Sequence, residues 1–120
     1  MQEQQPATTN GDPAQEAPPR RRQLLIREVN EQIRRIGDRR DGDGFLVVLC
    51  ECGSPECTDR LTIRTEAYEA VRSAPARFIV KEGHSSMGDH VVGSRDGYVM
   101  IQKSGAGARS AAEHDPRRRR

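Results

Sequence analysis

The clearest periodic signal in the chain lies in residues 20–36, where Leu25, Val29, Ile33 and Ile36 recur at helical spacing within an arc of about 80°. This pattern predicts an amphipathic helix that follows Pro18-Pro19 and ends at Gly37. Arg34 and Arg35 would then sit at the C-terminal end, where the helix dipole favours cations. The apolar stripe is expected to pack on a sheet, with docking on another protein as the alternative. Residues 38–44, polar and glycine-containing, read as a linker.

Beyond the linker the period shortens to that of strands. Phe45 to Leu49 is a continuous apolar run, too short for an independent helix, and predicts a strand buried on both faces. Leu61 and Ile63 alternate with Arg60, Thr62 and Arg64, which predicts a half-buried strand pairing back as a hairpin. Thr65 offers an N-cap for a short helix over residues 66–72, with Tyr68 and Val71 on one face and Pro75 beyond its end. Phe78-Ile79-Val80 resumes strand. Val91-Val92 and Tyr98-Val99-Met100-Ile101 flank the turn-forming residues Gly93 to Gly97 and predict a second hairpin. The expected fold is α+β: a small antiparallel sheet of four or five strands with one short helix, plus the N-terminal amphipathic helix.

Composition limits how much of the chain this fold can include. At 33% hydrophobic and 3% aromatic residues, with a mean hydropathy of -0.85, the 120-residue chain is poor in core-forming side chains. Residues 1–19 and 104–120 hold almost nothing that could offset the entropy of ordering, and both read as disordered tails. The expected organisation is a tail over 1–19, helix and linker over 20–44, an α+β domain over 45–103 and a basic tail over 104–120. A core confined to 45–103 is marginal without a staple.

The net charge of +2 is unevenly spread. The core is close to neutral, whereas Arg20-Arg21-Arg22, Arg34-Arg35, Arg39-Arg40 and Arg117 to Arg120 load its flanks. Such runs solubilise, and they can support weak, salt-sensitive, sequence-independent contact with nucleic acid. No segment approaches the roughly 18 consecutive apolar residues of a membrane span, and residues 1–19 lack the apolar stretch of a signal peptide, so a cytoplasmic location is expected.

All three cysteines fall in the run Cys50-Glu51-Cys52-Gly53-Ser54-Pro55-Glu56-Cys57. An odd number in so short a span makes no disulfide framework and points to metal or redox chemistry. Period-two alternation puts Cys50 and Cys52 on one face of a strand end, and Gly53 and Pro55 let the chain turn Cys57 back toward them. Three thiolates can then converge on one zinc ion per chain, bound at about 2.3 Å, which leaves a fourth position. His84, preceded by the permissive Gly83 in the loop after Val80, is the first candidate. His90, Asp59, another acid, water or no fourth ligand at all are the alternatives, and His114 falls in the expected tail. Glu51 and Glu56 read as solvated turn residues.

The same cysteine string, followed by Tyr68-Glu69-Ala70-Val71-Arg72, Pro75, Phe78-Ile79-Val80, Gly83-His84 and Gly97-Tyr98-Val99, resembles a family of short uncharacterised bacterial proteins with a Cys-Glu-Cys-Gly-x-Pro-x-Cys cluster and a downstream Pro-Gly-His. The resemblance implies that His84 joins Cys50, Cys52 and Cys57 as a metal ligand; this chain has Glu82 where that family has proline. It implies no activity. The ligand types are also similar to the Cys3His iron-sulfur site of the CDGSH family, but Cys57 comes too soon after Cys52 and no histidine follows it closely. Deaminase, zinc-protease, serine-hydrolase and phosphate-loop motifs are absent. The expectation is a non-enzymatic structural-zinc protein, acting as a regulatory or interaction module with another protein as partner. A redox-sensing thiol or iron-sulfur protein, or a weak nucleic-acid binder, is the alternative.

Overall fold

The structure is a computed structural model that describes residues 21–40, 44–86, 88–95 and 97–118. The expected tail over 1–19 and the middle of the expected linker, residues 41–43, lie outside the described residues. The described elements run α1 (Arg21–Arg40), β1 (Phe45–Leu49), β2 (Arg60–Arg64), α2 (Thr65–Arg72), β3 (Arg77–Lys81), β4 (His90–Arg95), β5 (Tyr98–Gln102) and α3 (Gly105–Glu113).

The α+β class holds, but the strands form two antiparallel sheets rather than one. β1 and β2 pair as a hairpin with Phe45 opposite Arg64 and Leu49 opposite Arg60. The second sheet has the order β3-β5-β4. β4 extends to Arg95, so the segment read as a five-residue turn is mostly strand, with a bulge between Val91 and Gly93. β1 is not buried on both faces. Leu46 and Val48 enter the core, whereas Phe45 and Val47 are 44% and 53% exposed, because only one face of this two-stranded ribbon is covered. The N-cap of α2 is Arg64 rather than Thr65. The Thr65 amide donates to the Gly44 carbonyl, so the hairpin runs directly into the helix. Tyr68, Val71, Phe78, Ile79, Val80 and Ile101 form the centre of the core with the inward residues of β1 and β2.

α1 departs most from its sequence pattern. It continues past Gly37 to Arg40, and Gly37 lies against β1, where an added Cβ would stand 2.8 Å from Leu46 Cδ2. More consequentially, the helix is turned over. Leu25, Val29 and Ile36 are 54%, 45% and 47% exposed, while Gln23, Arg27, Asn30 and Glu31 are buried along with Ile26. Only Ile33 of the expected stripe packs against the core, as does Leu24 from outside that stripe.

Hydrogen bonding explains the inversion. Asn30 Nδ2 donates to the Leu49 carbonyl and Asn30 Oδ1 accepts the Leu49 amide, both at 2.9 Å, so one side chain satisfies the edge of β1 as a neighbouring strand would. Gln23 Nε2 donates to the Glu51 carbonyl. Arg27 donates to the Pro75 and Ala111 carbonyls and lies 4.7 Å over the Phe78 ring. The Glu51 and Ala111 carbonyls are buried, and a buried polar group left without a partner costs about 1–3 kcal/mol, comparable to leaving one aliphatic side chain wet.

The expected disordered basic tail is also corrected. Residues 105–113 form α3, Ala111 is fully buried, and the following turn brings Asp115 and Arg117 onto the core. Arg72, itself buried, donates to Asp115. Arg117 binds Glu31 and Glu69, and Glu31 also accepts the Tyr68 hydroxyl. Composition hides this segment because it is held by charge pairs and small residues rather than by large apolar side chains.

The Arg117 hydrogen bonds hold the Glu69 carboxyl down at about 2, well below its ordinary 4.5, against the opposing pull of burial. Burial raises Glu31, but the bonds from Arg117 and Tyr68 outweigh it and its net shift is downward. Groups with depressed folded-state values stabilise fully above their unfolded value and lose that contribution as pH falls through the folded one. Stability should therefore decline between about pH 4.5 and about pH 2, and Arg117→Gln should flatten that decline in urea titrations. A separate check concerns the inverted helix. Asn30→Ala, which strands buried groups of Leu49 and Glu51, should cost about 3 kcal/mol in denaturant titrations at low protein concentration. Leu25→Ser should change stability by less than about 0.5 kcal/mol.

Candidate metal centre

The cysteine turn extends the β1–β2 hairpin. The Cys50 amide donates to the Asp59 carbonyl at 2.9 Å, adding one rung beyond Leu49, and the Cys57 amide donates to the Ser54 carbonyl, closing a tight turn after Gly53. Gly53 has φ of 82°, a left-handed conformation that glycine adopts without steric cost. α1 holds the outside of this turn through Gln23 on Glu51 and Arg22 on the Ser54 carbonyl.

β3 supplies the other half. Its Lys81 carbonyl accepts the His84 amide at 2.9 Å, and Gly83, with φ of 89°, sits third in that turn. The turn aims His84 Nδ1 at the sulfurs, 3.5 Å from Cys50 Sγ and 3.5 Å from Cys57 Sγ. The ligand atoms of Cys50, Cys52, Cys57 and His84 all lie within 4.8 Å of one another. A tetrahedral ion with Zn–S of about 2.3 Å and Zn–N of about 2.0–2.1 Å separates nitrogen from sulfur by about 3.5 Å. The four side chains can therefore hold a metal ion with little rearrangement.

The surroundings fit the same use. The Lys81 amide donates to Cys50 Sγ at 3.1 Å, a bond that favours the thiolate. Burial nevertheless pushes the Cys50 thiol up to about 12 in the absence of a cation, and burial also raises Cys57. Asp59 sits on the outer side, its Oδ2 3.8 Å from His84 Nε2 and 3.7 Å from Cys57 Sγ. It lies within ion-pair reach of the imidazole's outer nitrogen while Nδ1 faces the sulfurs, the place of an outer partner in metal sites. Cys50 and Cys52 are buried, and Cys52 joins Cys57 and His84 in bordering an open polar cleft of about 490 Å³ that Glu56, Asp59, Ser85 and Ser86 also line.

His84 is thus the histidine brought to the three cysteines. His90 begins β4, paired opposite Gln102, and exposed His114 follows α3; neither joins the cluster. The reading of Glu51 as a solvated acid is wrong, whereas Glu56 is exposed as expected. Glu51 is fully buried, its Oε1 accepting the Ile79 amide, its Oε2 accepting Asn30 Nδ2 and its own amide donating to the Ile79 carbonyl. Burial raises its carboxyl above the ordinary range. Alternation carried one residue further than Cys50 would have pointed Glu51 away from the metal ligands and toward the interior.

The chain matches no protein-family model, no curated protein and no solved structure. Among the described residues, no helix is long and apolar enough to cross a membrane. Geometry alone therefore yields the next expectation: Asp59→Asn should weaken metal affinity about tenfold in a competition titration with a chromogenic chelator, and His114→Ala should leave it unchanged.

Proposed function

We propose that this chain is a small non-enzymatic protein-interaction module whose core is clamped by one structural zinc ion, held by Cys50, Cys52, Cys57 and His84. The convergence of His84 Nδ1 on two cysteine sulfurs at tetrahedral spacing carries the proposal. Three thiolates and one imidazole are a donor set suited to zinc, and the string's resemblance to the Cys-Glu-Cys-Gly-x-Pro-x-Cys pattern supports the same ligands. A site filled by four protein ligands leaves no open position for water or substrate, which favours a clamp over a catalyst.

The ion would join the β1–β2 turn to the segment after β3, two places otherwise linked near the site by the Lys81 amide and Glu51. Structural zinc supplies on the order of 10 kcal/mol or more in small domains, enough to govern whether such a core folds. An interaction role is supported by the exposed aliphatic side chains Leu25, Val29, Ile36 and Val47. A polyanion partner is less well supported, because Arg117 is committed to Glu31 and Glu69.

Metal analysis and the visible spectrum of protein purified anaerobically without added metal test this reading. The expected result is about one zinc per chain and no visible absorption, with Cys52→Ser losing both the metal and the cooperative melt. Iron with sulfide absorption bands would replace the clamp by a redox cluster. A metal-free, fully folded protein would remove it.

A further inference from the structure

We propose that the solvent-facing side of α1 is a self-association surface on which a second copy of this chain docks antiparallel, helix against helix. The surface follows from the inversion of α1 and is independent of which metal the cysteines hold. The fold is anchored through Gln23, Arg27, Asn30 and Glu31, and Leu25, Val29 and Ile36 remain about half exposed on the opposite side.

Their spacing has a definite form. Leu25, Val29, Gln32 and Ile36 are separated by four, three and four residues, the seam spacing of two helices packed side by side, over about 16 Å at 1.5 Å per residue. Gln32 is exposed and is the single polar residue in this seam. Across a two-fold axis in antiparallel register, Leu25 of each copy meets Ile36 of the other, and Val29 meets Gln32.

The charges beside the seam select both the occupant and its direction. Glu28 and Arg35 are exposed residues on one flank of the seam. In the antiparallel register Glu28 of each copy lies across from Arg35 of the other, giving two opposite-charge pairs related by symmetry. Parallel docking would place Glu28 and Arg35 of the two copies on opposite flanks of the seam, where they could not pair with one another. The helix face thus gains two opposite-charge pairs in one direction and none in the other. Only a short apolar seam is available, so the assembly is a reversible dimer rather than an obligate one.

Sedimentation equilibrium on the full chain with its metal bound, from low micromolar to submillimolar concentration, tests the proposal. The expected behaviour is a monomer–dimer equilibrium whose dissociation constant rises more than about tenfold in Val29→Glu, while metal content and the monomer's melting temperature stay unchanged. Glu28→Arg and Arg35→Glu should each weaken self-association, and mixing the two variants should restore it as a heterodimer. A monomer at every concentration overturns the proposal, whether residues 1–20 or an unrelated protein covers the stripe instead. A dimer indifferent to Val29→Glu, or charge variants that fail to recombine on mixing, overturns it as well.

Discussion

The carboxylate of Glu51, buried between two cysteines, is the constraint around which the remaining structure is arranged. Strand alternation sends its side chain away from the sulfurs and into the interior, where a carboxyl without hydrogen-bond partners would be costly. The Ile79 amide on β3 and the Asn30 amide on α1 supply those partners, while the backbone of Glu51 pairs with the Ile79 carbonyl and Gln23. One residue therefore ties the two-stranded ribbon, the three-stranded sheet and the N-terminal helix together.

The orientation of α1 follows. A helix packed over polar edges must bring amides and guanidinium groups to them, so the polar face turns inward and the aliphatic face outward. The same logic admits the C-terminal segment. Arg27, Arg72 and Arg117 meet Glu31, Glu69, Asp115 and the Ala111 carbonyl in a partly dry cluster that joins α1, α2 and α3. Buried ion pairs of this kind add little net stability but penalise any arrangement that breaks them, which suits a role in fixing one packing of a small core.

Preorganisation of the metal centre comes from the same framework. β3 offers its free edge at alternate residues, Ile79 to Glu51 and Lys81 to Cys50 Sγ, and then turns at Gly83 to deliver His84. The hairpin rung between Cys50 and Asp59 brings Cys57 back on the opposite side. Backbone hydrogen bonds thus bring the four candidate ligands to one point, and the ion would clamp that junction.

The sequence alone carried the local decisions. Alternation in Arg60–Arg64, the spacing in residues 20–36, the turn residues around Gly53 and Gly97 and the clustering of Cys50, Cys52 and Cys57 set the elements, the α+β class and the donor set, because each depends on near neighbours and backbone stereochemistry. Which face of α1 is buried, the fate of Glu51 and the ordering of residues 105–118 were decided only in the tertiary structure. In each case a polar group far away in the chain outbid hydrophobicity: Asn30 for Leu49, Ile79 for Glu51, and Arg72 for Asp115. Hydropathy registers how well a side chain leaves water but not whether a distant partner awaits it, and for these residues the partner determined the outcome.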